Sequence, residues 1–188
     1  MSNRSGPAPK INLFFGLITK QLIFGDDGSL YLKRYKFPRR RRLHVFYRGD
    51  ADPDPHDHPF SFTTWPLVPY LEEVYTPENG TTLNYVAAGK STYRAATHCH
   101  RVIGPAILSH MRDDGSVFYF DYTTLEGTDK PPFLTRLAWW MFGEGTIVTL
   151  VKTSPSERKW GFWVKRGNGR IWINWREYLF GDRKTWIE

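Results

Sequence analysis

The chain has 188 residues, enough for one domain with a buried core, and a formal net charge of +7. Its single cysteine excludes an intrachain disulfide, so we expect a cytoplasmic protein rather than one from an oxidising compartment. The N-terminus is polar, and no apolar run after it is long enough to span a bilayer, so we expect no membrane partner.

The first forty residues predict a tail followed by strands. Residues 1–10 are polar and resemble a flexible tail, and residues 11–188 are expected to form one domain. Residues 11–24 are apolar, and the sequence leaves a short helix and two strands equally open. A turn at residues 25–28 precedes an alternating run from Leu30 to Phe37, which predicts a strand pair.

Four consecutive arginines, Arg39–Arg42, interrupt this pattern. Such a run is more often a solvated turn than a binding site. Together with the net charge it supports nucleic-acid binding as a less favoured alternative, because arginines neutralise phosphates.

The stretch from Asp52 to Phe62 contains His56 and His58, the first of two His-x-His pairs. Side chains at i and i+2 of an extended strand point to the same face, so both imidazoles can reach one metal ion at about 2.0–2.2 Å. Prolines on both sides disfavour a helix. The alternative is a pair of hydrogen-bonded core histidines or solvated loop residues.

The second pair, His98 and His100, follows about forty residues later, after some three predicted strands and their turns. In an antiparallel sheet that closes on itself, this interval returns the chain to the same interior. We therefore expect one shared site with His56, His58, His100 and His98 as candidate metal ligands.

The remaining chain predicts an all-β, mainly antiparallel sandwich or barrel with few short helices. Residues 104–145 differ in character and carry a dense apolar cluster at residues 137–142. We interpret this segment as an inserted lid over the barrel mouth or an interface in a homodimer, with a purely structural flap as the alternative.

Several motifs together resemble the cupin superfamily, whose jelly-roll barrel holds metal ligands in its interior. The residues that carry the resemblance are His44, Asp54 to Phe60, Tyr70 to Glu73, His100 to Val102, Trp160 to Phe162 and Trp175 to Leu179. They are most similar to small, largely uncharacterised cupin proteins of bacteria and their viruses. The resemblance implies a metal-binding barrel and brings no substrate with it.

The chain departs from the general cupin pattern, which has a carboxylate ligand shortly after the His-x-His pair. Residues 59–63 contain no acid, so either three histidines hold the metal or a more distant acid such as Glu73 approaches. His100 matches the family's later histidine, whereas His98 has no counterpart and is open as a fourth ligand, an orienting partner or a proton shuttle.

The predicted site has an acid–base pair, an aromatic wall and one bound metal. Only one of Glu72 and Glu73 can face inward on a strand, and we take Glu73 and His44 as the catalytic residues. Arg101 is interpreted as a surface ion-pair partner or a clamp for a substrate anion. The candidate wall residues are Phe60, Phe62, Trp65, Tyr70 and Tyr93. The cofactor is one divalent transition metal, with Fe, Ni, Mn, Zn and Cu all open.

The sequence leaves three functions open. The preferred one is a metal-dependent oxygenase or isomerase that acts on a small molecule inside the barrel. The first alternative is a non-catalytic binding or structural cupin. The second is a nucleic-acid-associated protein that uses Arg39–Arg42.

Overall fold

The computed structural model describes residues 9–14, 16–25 and 27–181, and it is built almost entirely from antiparallel strands. The prediction of an all-β, mainly antiparallel fold with few short helices is confirmed. The strands are β1 (Lys10–Leu13), β2 (Ile18–Phe24), β3 (Leu30–Phe37), β4 (Arg41–Phe46), β5 (Phe62–Pro66), β6 (Tyr70–Thr76), β7 (Gly80–Val86), β8 (Thr92–Arg94), β9 (Cys99–Pro105), β10 (Ile107–Met111), β11 (Val117–Asp121), β12 (Glu126–Thr128), β13 (Ile147–Thr153), β14 (Gly161–Arg166) and β15 (Gly169–Asn174). The helices are α1 (Phe133–Phe142) and α2 (Trp175–Phe180).

The N-terminal apolar run forms two strands, β1 and β2, and so resolves the choice between a helix and strands. Most of the tail predicted for residues 1–10 lies outside the described residues. No helix of the described ranges is both long and apolar enough to cross a membrane.

The largest sheet has seven strands in the order β1-β2-β3-β4-β13-β5-β8. The β3–β4 hairpin turns through Arg39 and Arg40, whose φ angles of 59° and 57° lie in the left-handed region that a tight turn requires. On the cavity side, the registers of β3, β4 and β13 align Arg34 with His44 and His44 with Thr149. One face of this sheet therefore presents polar side chains to the interior.

A second layer faces this sheet. It contains the sheet β7-β6-β9 and the hairpin β14-β15, and His56 connects them through backbone bridges to His100 and Phe162. A cavity of about 900 Å³ lies between the two layers. Residues from both layers line it, among them Arg34, His44 and His100.

The segment from residue 104 to 145 packs on the opposite face of the large sheet. Ile107, Ala138 and Trp139 contact Val45 and Val148 in one buried cluster. Every residue of the segment is described, and none lines the cavity. The cavity is therefore not covered by this segment, and the expected lid is not what the geometry shows.

Parts of the same segment leave apolar side chains in solvent. Trp140 is 83% exposed and Phe133 is 67% exposed, whereas Trp139 is buried and donates its Nε1–H to the carbonyl of Thr146. The homodimer interface that we predicted for this segment stays a prediction.

Candidate metal centre

Three histidines, His56, His58 and His100, direct ring nitrogens to one point in the cavity wall. One nitrogen from each lies within 4.8 Å of the others. His56 and His100 are a hydrogen-bonded backbone pair, with the N–H of each donating to the carbonyl of the other at 2.9 Å. His58 lies two residues after His56 and outside any strand, and its N–H donates to the carbonyl of Ala96 at 3.0 Å. Backbone hydrogen bonds therefore hold the segments that carry all three rings.

The spacing of these nitrogens suits a single ion. The Nε2 atoms of His58 and His100 are 2.9 Å apart. Two ligands at about 2.1 Å from one ion, at right angles to each other, lie about 3.0 Å apart. The donor set is three imidazoles, which suits a transition metal.

Glu72 fixes the orientation of the His100 ring. Its Oε2 lies 2.7 Å from His100 Nδ1, and its Oε1 accepts a hydrogen bond of 2.6 Å from Arg94 Nη2. Because the ion-paired carboxylate accepts, the proton of the neutral ring is on Nδ1 and the lone pair of Nε2 points at the other histidines. A carboxylate that accepts from the far nitrogen of a metal-binding histidine is a common arrangement.

Glu72 and Glu73 lie on opposite faces of β6. Glu72 is buried beside His100, whereas Glu73 is half-buried and pairs with Arg101 at 2.8 Å. Our choice of Glu73 as a catalytic residue therefore places the acid on the wrong face, and Glu72 is the carboxylate that reaches the histidines. Tyr70, two residues before Glu72, was already expected in the wall, and strand alternation from Tyr70 would have selected Glu72.

His98 lies beside the three histidines without joining them. Its Nε2 accepts a hydrogen bond of 3.3 Å from Arg94 Nε and is 3.9 Å from Glu72 Oε1. Glu72, His98 and His100 also come close enough to hold an ion as a second group. In that group, however, Arg94 already occupies Glu72 Oε1 and His98 Nε2, so we favour the three-histidine group.

His44, the other predicted catalytic residue, lines the same cavity. Its Nε2 accepts a hydrogen bond of 3.2 Å from Arg34 Nε. Burial, and then the charge of Arg34, holds the pKa of His44 well below its usual value. His44 is therefore a neutral imidazole that faces the cavity.

Three of the five predicted wall residues, Phe60, Phe62 and Tyr70, line the cavity. Trp65 and Tyr93 do not, and both are exposed.

Sequence reasoning did not assign Arg42 to the cavity. Arg39, Arg40 and Arg41 are exposed, but Arg42 lines the cavity, so the arginine run does not form one continuous surface. The alternation of β4, with His44 facing inward two residues later, is the pattern that would have placed it.

Two of the three converging histidines, His58 and His100, are neutral at physiological pH. Burial, followed by the charges of neighbouring histidines, holds the pKa of His58 and of His100 well below the usual value. Metal ions bind neutral imidazole, so this environment keeps both nitrogens ready to coordinate.

We expect the metal-free protein to lose stability as the pH falls. His44, His58 and His100 have a pKa below 6.5 in the folded state, so the unfolded chain binds protons first as the pH falls through about 6.5. Each of these histidines then lowers the free energy of unfolding by up to about 1.4 kcal/mol per pH unit. Urea unfolding at about pH 7.5 and about pH 5.5 measures this slope. His44→Asn should make the slope shallower, and a stability that stays constant or rises on acidification would refute the expectation.

Comparisons with known proteins give only distant similarity. No protein-family model and no curated protein matches the chain. A hydroxypropylphosphonic acid epoxidase from S. wedmorenis, solved in complex with fosfomycin, is 9% identical with a TM-score of 0.35. That alignment covers 82% of this chain and 57% of the epoxidase, so the chain spans little more than half of that enzyme's length.

A protein of unknown function from Acinetobacter sp. ADP1 is 11% identical with a TM-score of 0.30, covering 78% of this chain and 90% of the other. Similarity at this level does not transfer an activity, so a function for this chain has to be built from the residues of its site.

Proposed function

We propose that this chain is a metal-binding cupin that holds one divalent transition metal at His56, His58 and His100 and acts on a small molecule in the adjoining cavity. The observation that carries the proposal is the convergence of three imidazole nitrogens within 4.8 Å, with His100 oriented by a buried carboxylate. The sequence motifs that resemble cupins add to it.

The reaction class is oxygenase or isomerase chemistry. When bound, the metal supplies Lewis-acid or redox chemistry at the positions that three protein ligands leave open. The cavity of about 900 Å³ beside the histidines is large enough for a small molecule. Phe60, Phe62 and Phe162 line it with apolar rings and so exclude water from the ligand.

Two residues of the chain have further roles in the proposal. Glu72 holds the Nδ1 proton of His100 and so keeps that ring in its metal-binding tautomer. His44 is the acid–base candidate because it is a neutral imidazole in the cavity wall, and its Nε2 would accept a proton once Arg34 Nε turns to the ligand. A non-catalytic cupin would bind the same metal, but His44 would then transfer no proton.

Titration of the metal-free protein with Co(II), followed by visible absorption, tests the proposal. We expect one Co(II) to bind and added azide to change the spectrum, because azide takes an open position on the ion. A spectrum that azide leaves unchanged would indicate a site closed by protein ligands and would favour the structural cupin. Absence of Co(II) binding would contradict the proposal altogether.

The same titration separates the roles of the two neighbouring glutamates. Glu72→Gln should weaken Co(II) binding about 10- to 100-fold, because His100 loses the partner that fixes its ring. Glu73→Gln is the matched control, since Glu73 also pairs with an arginine but on the other face of β6. The affinity of Glu73→Gln for Co(II) should stay within about twofold of that of the parent protein, because the Glu73–Arg101 pair touches none of the three histidines. Equal effects of the two substitutions would refute the assigned role of Glu72.

A further inference from the structure

Three arginines line the cavity, and one of them, Arg48, pairs with Asp27 at 3.5 Å. The other two lie on strands of the large sheet. Arg34 on β3 and Arg42 on β4 both line the cavity with His44, which is the register partner of Arg34. The same cavity is bounded by His58 and His100. A ligand in it can therefore contact both the arginines and the histidine site.

These two charges have no carboxylate partner in the part of the chain that the structure describes. Each of the ion pairs found in those ranges uses a different arginine or a histidine. Burial, and then the charge of Arg42, lowers the pKa of Arg34 to about 10. Burial, and then the charges of Arg34 and Arg42, also lowers the pKa of Lys36. Positive charge is thus concentrated on this part of the wall, and no acid of the described ranges forms an ion pair with Arg34 or Arg42.

The carboxylates in the cavity wall have other partners. Asp50 Oδ1 accepts a hydrogen bond from the hydroxyl of Tyr31, and its Oδ2 accepts one of 2.8 Å from the backbone N–H of Val102. Asp52, also in the wall, accepts a hydrogen bond from the Tyr178 hydroxyl. Neither Asp50 nor Asp52 forms an ion pair with Arg34 or Arg42 within the described ranges.

Both guanidinium groups are held in place with donors left over. Arg34 Nε donates to His44 Nε2 at 3.2 Å, and the terminal Nη atoms of Arg34 donate to no residue in the described ranges. The Arg42 guanidinium lies 4.6 Å from the centre of the Phe60 ring and makes no hydrogen bond through its side chain within those ranges. Preorganised, unpaired guanidinium groups are a strong feature for binding carboxylate or phosphoryl oxygens.

We propose that Arg34 and Arg42 bind the oxyanion of the small molecule that reaches the histidine site, so that the substrate class is an organic anion with a carboxylate or phosphoryl group. This inference rests on the proposed function, because it takes the ligand to occupy the cavity beside His58 and His100. Phe46, Phe60 and Phe162 in the same wall accommodate the apolar body of such a molecule.

Calorimetric titration of metal-free protein with benzoate, phenylphosphonate and benzamide tests the inference. The three probes share one ring and differ in the charged group. We expect at least one anion to bind about tenfold or more tightly than neutral benzamide, because charged hydrogen bonds to half-buried guanidinium groups are strong. The stronger anion distinguishes a carboxylate from a phosphoryl ligand. Because no metal is present, failure here is distinct from failure of metal binding.

Arginine variants test whether Arg34 and Arg42 cause the preference for the anions over benzamide. In Arg34→Gln combined with Arg42→Gln, the anions should bind no more than about twofold more tightly than benzamide. Arg41→Gln removes one positive charge from the exposed neighbour on β4 and should leave the preference for anions unchanged. Equal binding of anions and benzamide by the parent protein, or a preference that survives the double substitution, would overturn the proposal.

A second measurement uses the parent protein, so it tests the proposal even where the double variant does not fold. Phenylglyoxal modifies arginines, and peptide mass spectrometry reports the rate at each one. Benzoate or phenylphosphonate should slow modification of Arg34 and Arg42 and leave Arg41 unaffected, whereas benzamide should protect none of them. Protection that is absent, or the same for all three arginines, would overturn the proposal.

Discussion

Asp57→Ala should destabilise the metal-free protein by about 3–5 kcal/mol, because it removes a buried carboxylate on which three donors depend. Asp57 Oδ1 accepts a hydrogen bond of 2.8 Å from the backbone N–H of Gly161. Its Oδ2 accepts hydrogen bonds from Arg158 Nη1 at 2.6 Å and from Trp172 Nε1 at 2.9 Å. These bonds join the His56–His58 loop to the β14–β15 hairpin.

A loss of this size is a large part of the about 5–15 kcal/mol by which domains are stable, so the midpoint of urea unfolding should fall clearly. Asp129→Ala is the matched control. It removes a carboxylate that also pairs with an arginine, at 2.8 Å from Arg112, but Asp129 is 75% exposed. We expect Asp129→Ala to lower the free energy of unfolding by about 1 kcal/mol or less. Equal losses for Asp57 and Asp129 would contradict the anchoring role of Asp57.

Asp57 shows where reasoning from the sequence stopped. Strand alternation puts Asp57 on the face opposite His56 and His58, and that much follows from the order of the residues. Its partners lie about a hundred residues later in the chain, and no local pattern connects them. The motif therefore predicted the candidate ligands but not the anchor that positions them.

The fold class and the candidate ligands depend on short-range patterns, which is why they could be predicted from the sequence. Period-two alternation predicted the strands, and His-x-His spacing predicted two same-face pairs. Alternation from Tyr70 along β6 would also have selected Glu72 over Glu73. The side of the sheet on which residues 104–145 pack depended on tertiary contacts of α1, which short-range patterns do not determine.

The arginine run illustrates the same limit. Arg39–Arg42 forms one charged stretch in the sequence, but the β3–β4 turn directs Arg42 into the cavity and leaves its neighbours in solvent. Arg34, another arginine of the cavity wall, lies outside the run altogether. Alternation along β4 would have placed Arg42 beside His44, but only the pairing of β3 with β4 brings Arg34 to the same wall.

His56→Ala combined with His58→Ala should abolish metal binding, the largest functional effect we expect. The double substitution removes two of the three converging histidines, and His100 by itself would not retain a divalent ion, because Arg94 already occupies its neighbours Glu72 and His98. The fold should persist, because the core of this 188-residue chain is aromatic and aliphatic and does not depend on a metal. Circular dichroism and urea unfolding check that persistence.

Two further histidines provide graded controls. His98→Ala removes a side chain beside the site and should cost about 10- to 100-fold in affinity or less, because Arg94 already occupies its Nε2. His110→Ala removes an exposed histidine on β10, remote from the cavity, and should change nothing. A near-complete loss of metal in His98→Ala would instead identify His98 as a ligand.

Elemental analysis of protein purified without chelators or a histidine tag tests the three-histidine site most directly. We expect close to one transition-metal ion per chain in the parent protein and about a tenth of that or less in the His56→Ala, His58→Ala variant. A parent protein without metal, both as purified and after incubation with Fe(II), Mn(II), Ni(II) and Zn(II), would contradict the metal centre. Full metal content in the double variant would contradict it equally.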